Sequence, residues 1–205
     1  MKPLLRILLV FMGMLGGLMS SGCISSSVGK EYYQLYLPSV PGNVSDKTVV
    51  PRLDRILMVE AVDVANIYSD YRMVYKTSPY HLNYYSYNYW IKKPGPMVRD
   101  CMVDYFSGRR VFKKVITGFI GGDPDLILKA VVHTLEEYDG PVAWYAHLKM
   151  DIEIKDFKSG DQVLFHSFDR QKQMMEKQVE YFPIAISMIL REELDKVIDR
   201  LVAGE

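Results

Sequence analysis

The sequence predicts an α+β domain, a mostly antiparallel sheet with a short middle helix and a long C-terminal helix packed on one face. Three observations carry that expectation. Residues 126 to 156 alternate apolar and polar side chains around an Asp139-Gly140 turn, residues 176 to 202 hold an apolar stripe at three-to-four spacing, and Pro94-Gly95-Pro96 opens a shorter helical pattern.

In chain order, residues 1 to 22 read as a signal peptide. Lys2 and Arg6 are followed by an apolar stretch, Ile7 to Met19, and by the small residues Ser20-Ser21-Gly22. An apolar core of about a dozen residues is too short to cross a hydrocarbon layer, which takes roughly 20. The leader ends at Cys23, so cleavage is expected between Gly22 and Cys23, with the cysteine thiol carrying a covalent lipid. Two or more acyl chains, at about 0.8 kcal/mol per buried methylene, hold a protein stably on a bilayer. Residues 23 to 30 form the acylated tether. They lack an acid directly after the cysteine, as in lipoproteins exported to the outer membrane.

Removing 22 of 205 residues leaves 183, enough for one domain with a substantial core, residues 31 to 205. The leader contains two basic residues and no acid, so the remaining 23 basic and 25 acidic residues give a net charge of −2. Nothing in that balance recruits nucleic acid. With Cys23 acylated, Cys101 is the one remaining thiol and is expected as a small buried hydrophobe.

Tyr32 to Leu37 alternates weakly and stops at Pro38, which predicts a strand, followed by a Pro/Gly/Asn/Ser loop over 38 to 51. Arg55 to Val64 is nearly all apolar and predicts a strand covered on both faces. Tyr71 to Thr77 and Tyr80 to Tyr85 flank Ser78-Pro79 as a hairpin. In the middle helix Val98, Cys101, Met102, Tyr105 and Phe106 share a face, and Gly108 ends it. Val111 to Ile116 is a strand, 117 to 125 a glycine-rich loop, 126 to 138 and 141 to 156 a hairpin, and 162 to 170 a last strand. Phe182, Ile186, Leu190, Leu194, Val197 and Leu201 form the stripe of the terminal helix.

No catalytic or metal-binding motif is present: no G-x-S-x-G, H-E-x-x-H, C-x-x-C pair or P-loop, and His81, His133, His147 and His166 fall on separate strands without ligand spacing. No cofactor is expected beyond the lipid on Cys23, and no enzymatic activity. The unusual feature is aromatic density. Tyr84, Tyr85, Tyr87, Tyr89 and Trp90 crowd one short segment, and such side chains, rigid with one polar tip, suit a protein or lipid interface.

The acylatable Cys23, the Tyr32-Tyr33-Gln34-Leu35 strand, the apolar strand 56 to 62, the Tyr89-Trp90 pair before the first helix, the 126 to 156 hairpin and the long terminal helix together resemble the ABC-type transport auxiliary lipoproteins, including the paraquat-inducible type. The resemblance covers essentially the whole mature chain and departs at Tyr89, where the family has Arg. It implies a non-catalytic accessory of an MCE-type ABC intermembrane lipid transport system, anchored on the periplasmic face of the outer membrane. It also implies an MCE-domain partner, with lipid cargo and homo-oligomer formation as open possibilities. The alternative is an envelope assembly lipoprotein that docks on an outer-membrane β-barrel machine.

Overall fold

A computed structural model describes residues 29–38, 52–119 and 122–204. Gly22, Cys23 and the signal peptide lie outside the described residues.

The elements are β1 (Glu31–Tyr33), β2 (Leu53–Val59), β3 (Asp63–Val64), a 3-10 turn (Asn66–Tyr68), β4 (Arg72–Ser78), β5 (His81–Trp90), α1 (Pro94–Gly108), β6 (Phe112–Ile116), β7 (Leu126–Asp139), β8 (Trp144–Asp156), β9 (Gln162–Gln173) and α2 (Tyr181–Ala203). They form one curled sheet with both helices against it, the predicted α+β class.

The longest ladders are antiparallel, β7 with β8 and β8 with β9. Alternation aims Ala146, Leu148, Met150, Ile152 and Ile154 at the core, all buried. The other edge of β7 is paired in succession by β2, β3 and β4, each parallel to it. β6 pairs parallel to β2, and β1 parallel to β5. One long strand flanked by three short ones has to curl. The single apolar run predicted over 55 to 64 is therefore two strands, and Glu60 N and Ala65 N keep bonding to Leu128 O and Val132 O as the chain steps along β7.

The first strand is shorter than expected. Only Glu31–Tyr33 pairs, after which Leu35 and Leu37 bury their side chains without a ladder. β5 runs five residues beyond its predicted end at Tyr85. Between the pairs Val74↔Tyr84 and Arg72↔Tyr89, β4 advances two residues while β5 advances five, so β5 bulges on its β4 side over Tyr85 to Asn88, while on its other side Asn88, Tyr89 and Trp90 pair with β1.

α1 opens on Pro94 and Gly95. A Cβ at Gly95 would sit 2.7 Å from Val62 O, so only glycine lets this helix start close to the chain after β2. α2 begins at Tyr181 rather than near 176, because Pro183 is tolerated only within the first turn. It ends on Gly204 at φ 77°, whose N–H donates to Arg200 O. α1 packs on β6 with β2 and β3, and α2 on β8 and β9. The helices are joined where Asp195 accepts from Tyr105 Oη at 2.7 Å and from Arg109 at 2.8 Å. No helix among the described residues is long and apolar enough to cross a membrane.

Candidate partner surface

The β5 bulge decides where each aromatic of the 84–90 segment goes. Tyr84 lies outside, its ring under the Arg72 guanidinium at 4.1 Å and its hydroxyl donating to Ile67 O at 3.0 Å. Tyr87 is 48% exposed and makes no hydrogen bond or ring contact among the described residues. Tyr89 is half-buried against Tyr32, ring centroids 5.8 Å apart, with the Lys30 ammonium 5.1 Å from its ring. Lys93 stands similarly over Tyr71. The outer surface of β1, β4 and β5 thus alternates tyrosine faces with cations. Each such pair contributes about 0.5–1 kcal/mol at an exposed site. The Tyr84 and Tyr89 hydroxyls already donate to Ile67 O and Ser86 O, which leaves the Tyr87 hydroxyl for a partner.

Two of the five expected interface residues are elsewhere. Trp90 is 2% exposed and packs on Phe182 of α2 at 5.6 Å, so it belongs to the core, and its expected place on a surface is corrected. The bulge reverses the parity that would have aimed it outward. Tyr85 is largely buried on Tyr75 at 4.6 Å, and its hydroxyl donates to Glu137 at 2.6 Å. The surface set is Tyr84, Tyr87 and Tyr89, joined by Tyr32, Tyr71, Lys30, Arg72 and Lys93, which no local pattern groups together.

The same sheet holds two polar clusters that the alternation did not announce. Glu136 and His147 are directly opposite in the β7–β8 ladder and both buried, although polar residues on such strands are expected in water. Glu136 accepts from Tyr68 Oη at 2.5 Å, contacts His147 Nδ1 at 3.3 Å and pairs with Lys76, while His147 Nε2 reaches Asp169 at 2.7 Å. Burial opposes ionisation of Glu136, but the bonds from His147, Lys76 and Tyr68 outweigh it and hold the carboxyl at about 2. Burial likewise disfavours the His147 cation, yet its two carboxylate partners raise its pKa overall.

The second cluster is Glu137 with Asp139. Glu137 Oε2 and Asp139 Oδ1 are buried without a donor among the described residues. Burial and then the neighbouring Asp139 push the Glu137 carboxyl up to about 8. His133 and His166 are held singly, by Asp151 at 2.7 Å and by Glu193 at 2.8 Å. Among the described residues no group of three or more His, Cys, Asp or Glu is placed to hold a metal ion. Cys101 is buried in α1, its thiol against Leu35 O at 3.6 Å and pushed up to about 12 by burial.

No protein-family model and no curated protein matches the sequence. Among solved structures, the chain is similar to protein XCC0632 from Xanthomonas campestris, of family model DUF330, with a TM-score of 0.69, 15% identity, and coverage of 85% of this chain and 96% of that one. It is also similar to an uncharacterized protein, with a TM-score of 0.67, 17% identity, and coverage of 84% and 99%. Lipoprotein GNA1162 from Neisseria meningitidis matches at a TM-score of 0.39 and 9% identity over 73% and 99%, too slight a likeness to carry weight. At these identities the first two likenesses show one thing: this chain has the fold of the DUF330 protein.

Proposed function

We propose that this protein is a non-catalytic lipoprotein accessory of an MCE-type ABC intermembrane lipid transport system, held on the periplasmic face of the outer membrane by acyl chains on Cys23. The observation that carries the reading is the combination of a lipoprotein leader ending at Cys23 with a domain that shares the DUF330 fold along 85% of the chain. The described domain begins at Gly29 and Lys30, both exposed, six residues after the anchor. Six residues reach at most on the order of 20 Å, at about 3.3–3.6 Å each, so an acylated Cys23 would hold the domain near the bilayer. Lys30 lies over Tyr89, so the tether enters at the edge of the tyrosine–cation surface.

In this reading the protein performs no chemistry. ATP is hydrolysed by a cytoplasmic partner, and Tyr84, Tyr87 and Tyr89 meet the MCE-domain protein. The test is crosslinking in intact envelopes followed by purification of this chain. An MCE-domain protein is the expected co-purifying species, and its recovery is expected to fall when Tyr84 and Tyr87 are both replaced by Ala. Recovery of an outer-membrane β-barrel in its place would favour the assembly-lipoprotein alternative.

A further inference from the structure

Between the segment after β1 and the first three turns of α2 runs an open groove of about 390 Å³. Tyr36 and Pro38 form one wall, and Pro183, Ile184 and Met188 the other. The Ser187 hydroxyl within it is already spent. Ser187 Oγ donates to Pro183 O at 2.7 Å and accepts from Tyr36 N at 3.1 Å, so this hydroxyl tacks the two walls together instead of facing a ligand. Ile184 is 50% exposed and Met188 38%, one helical turn apart on the face of α2 that the core stripe does not use.

The two ends of the groove differ in charge. Glu180 is exposed at one end. Arg191 lines the other, half-buried, and makes no hydrogen bond or ion pair among the described residues. The acid one turn further along, Asp195, is already taken by Tyr105 and Arg109. A partly desolvated guanidinium beside an apolar channel is a ready donor for an anionic head, with geometry suited to a carboxylate or phosphate. The carboxylate of Glu180 disfavours an anion at the opposite end and so fixes the direction.

We infer that this groove binds one single-chain anionic lipid drawn from the surrounding membrane, its head on Arg191 and its acyl chain laid along Met188, Ile184 and Pro183 against Tyr36. From Arg191 to Glu180 α2 rises about 16 Å, the scale of one extended acyl chain. The volume lies at the small end for ligand sites, roughly 300–1,000 Å³, which suits one chain better than two. The groove's ligand does not depend on the transport partner proposed above, and absence of an MCE protein from crosslinked envelopes leaves it standing.

The experiment uses full-length acylated protein in native membranes, exposed to photoactivatable lysophosphatidylglycerol or to lysophosphatidylcholine with the same tail-borne label. Labelled peptides are then mapped by mass spectrometry. The anionic probe is expected to label peptides containing Tyr36 and Ile184–Met188, with its yield falling about tenfold in Arg191→Gln. Ile184→Glu, an exposed and structurally inexpensive change, is expected to abolish labelling with an unchanged circular dichroism spectrum.

Equal capture of both heads that ignores Arg191→Gln would overturn the assignment, as would label spread evenly over exposed tyrosines. Groove labelling that appears only in Cys23→Ser would mean the protein's own acyl chain fills the groove. Self-association of the wild-type chain that Ile184→Glu removes, without groove labelling, would mean that a second copy covers it. Either result contradicts an exogenous lipid.

Discussion

At the scale of single residues, the difference between Trp90 and Tyr87 can be measured. Trp90 is enclosed between the sheet and α2, so Trp90→Ala is expected to cost about 3–5 kcal/mol in urea unfolding. Tyr87→Ala, at an exposed position, should change stability by no more than about 0.5 kcal/mol. Glu137 gives a second test. Its carboxyl is raised from 4.5 to about 8, so folding favours the protonated form. The associated stability is full below about pH 4.5 and is lost as pH climbs through 8. In Glu137→Gln the amide can donate to Asp139 while its oxygen accepts from Tyr85, so unfolding measured at pH 5 should barely change and at pH 8.5 the variant should be the more stable. Sequence alone did not reach these assignments. Trp90 and Tyr87 belong to one aromatic run, and what separates them is a bulge whose position depends on β4 pairing, not on local pattern.

At the scale of elements, legibility followed the range of the interactions. The β7–β8 hairpin was plain because its two arms are adjacent in sequence and alternate over most of their length, although Asp139 pairs with Trp144 inside the ladder, so the turn is residues 140–143 rather than Asp139-Gly140, and a register shift between Val132 and Thr134 reverses the buried face of β7. α2 was plain from its stripe, apart from a start that Pro183 sets. The split of β2 from β3 and the parallel pairing of β1 with β5 were hidden, since each depends on a partner distant in sequence. The Glu136–His147 pair was hidden for a related reason. Polar residues on an alternating strand default to water unless another element covers them, and here Tyr68, Lys76 and Asp169 arrive from the 3-10 turn, β4 and β9. This cluster predicts an acid-sensitive sheet. The carboxyl of Glu136 is lowered from 4.5 to about 2, so its stabilising share, on the order of 3 kcal/mol, is present above about pH 4.5 and lost as pH falls toward 2. Acid titration followed by circular dichroism should show unfolding in that window. Glu136→Gln should be less stable at pH 7 and flatter across it; an unchanged acid midpoint in the variant would assign the transition to other carboxylates.

At the scale of the whole molecule, the proposed function needs an anchor on Cys23, a folded domain and a surface for a partner. The anchor was read from composition and spacing around Cys23, residues outside the described fold. Cys23→Ser is expected to abolish incorporation of labelled palmitate and release the protein from the membrane fraction or leave it unprocessed, with the domain's circular dichroism unchanged. The absence of enzymatic activity is an expectation from missing motifs, and the three strand histidines outside the β4–β5 hairpin each pair with a carboxylate. The partner surface was legible only in part, as an excess of tyrosine, because Lys30, Arg72 and Lys93 join it through the curl of the sheet. The most direct measurement is crosslinking of the acylated protein in intact envelopes with identification of its partner: the account predicts an MCE-domain protein whose capture depends on Cys23 and on Tyr84 and Tyr87, and repeated capture of a β-barrel alone, or of no envelope component, would contradict it.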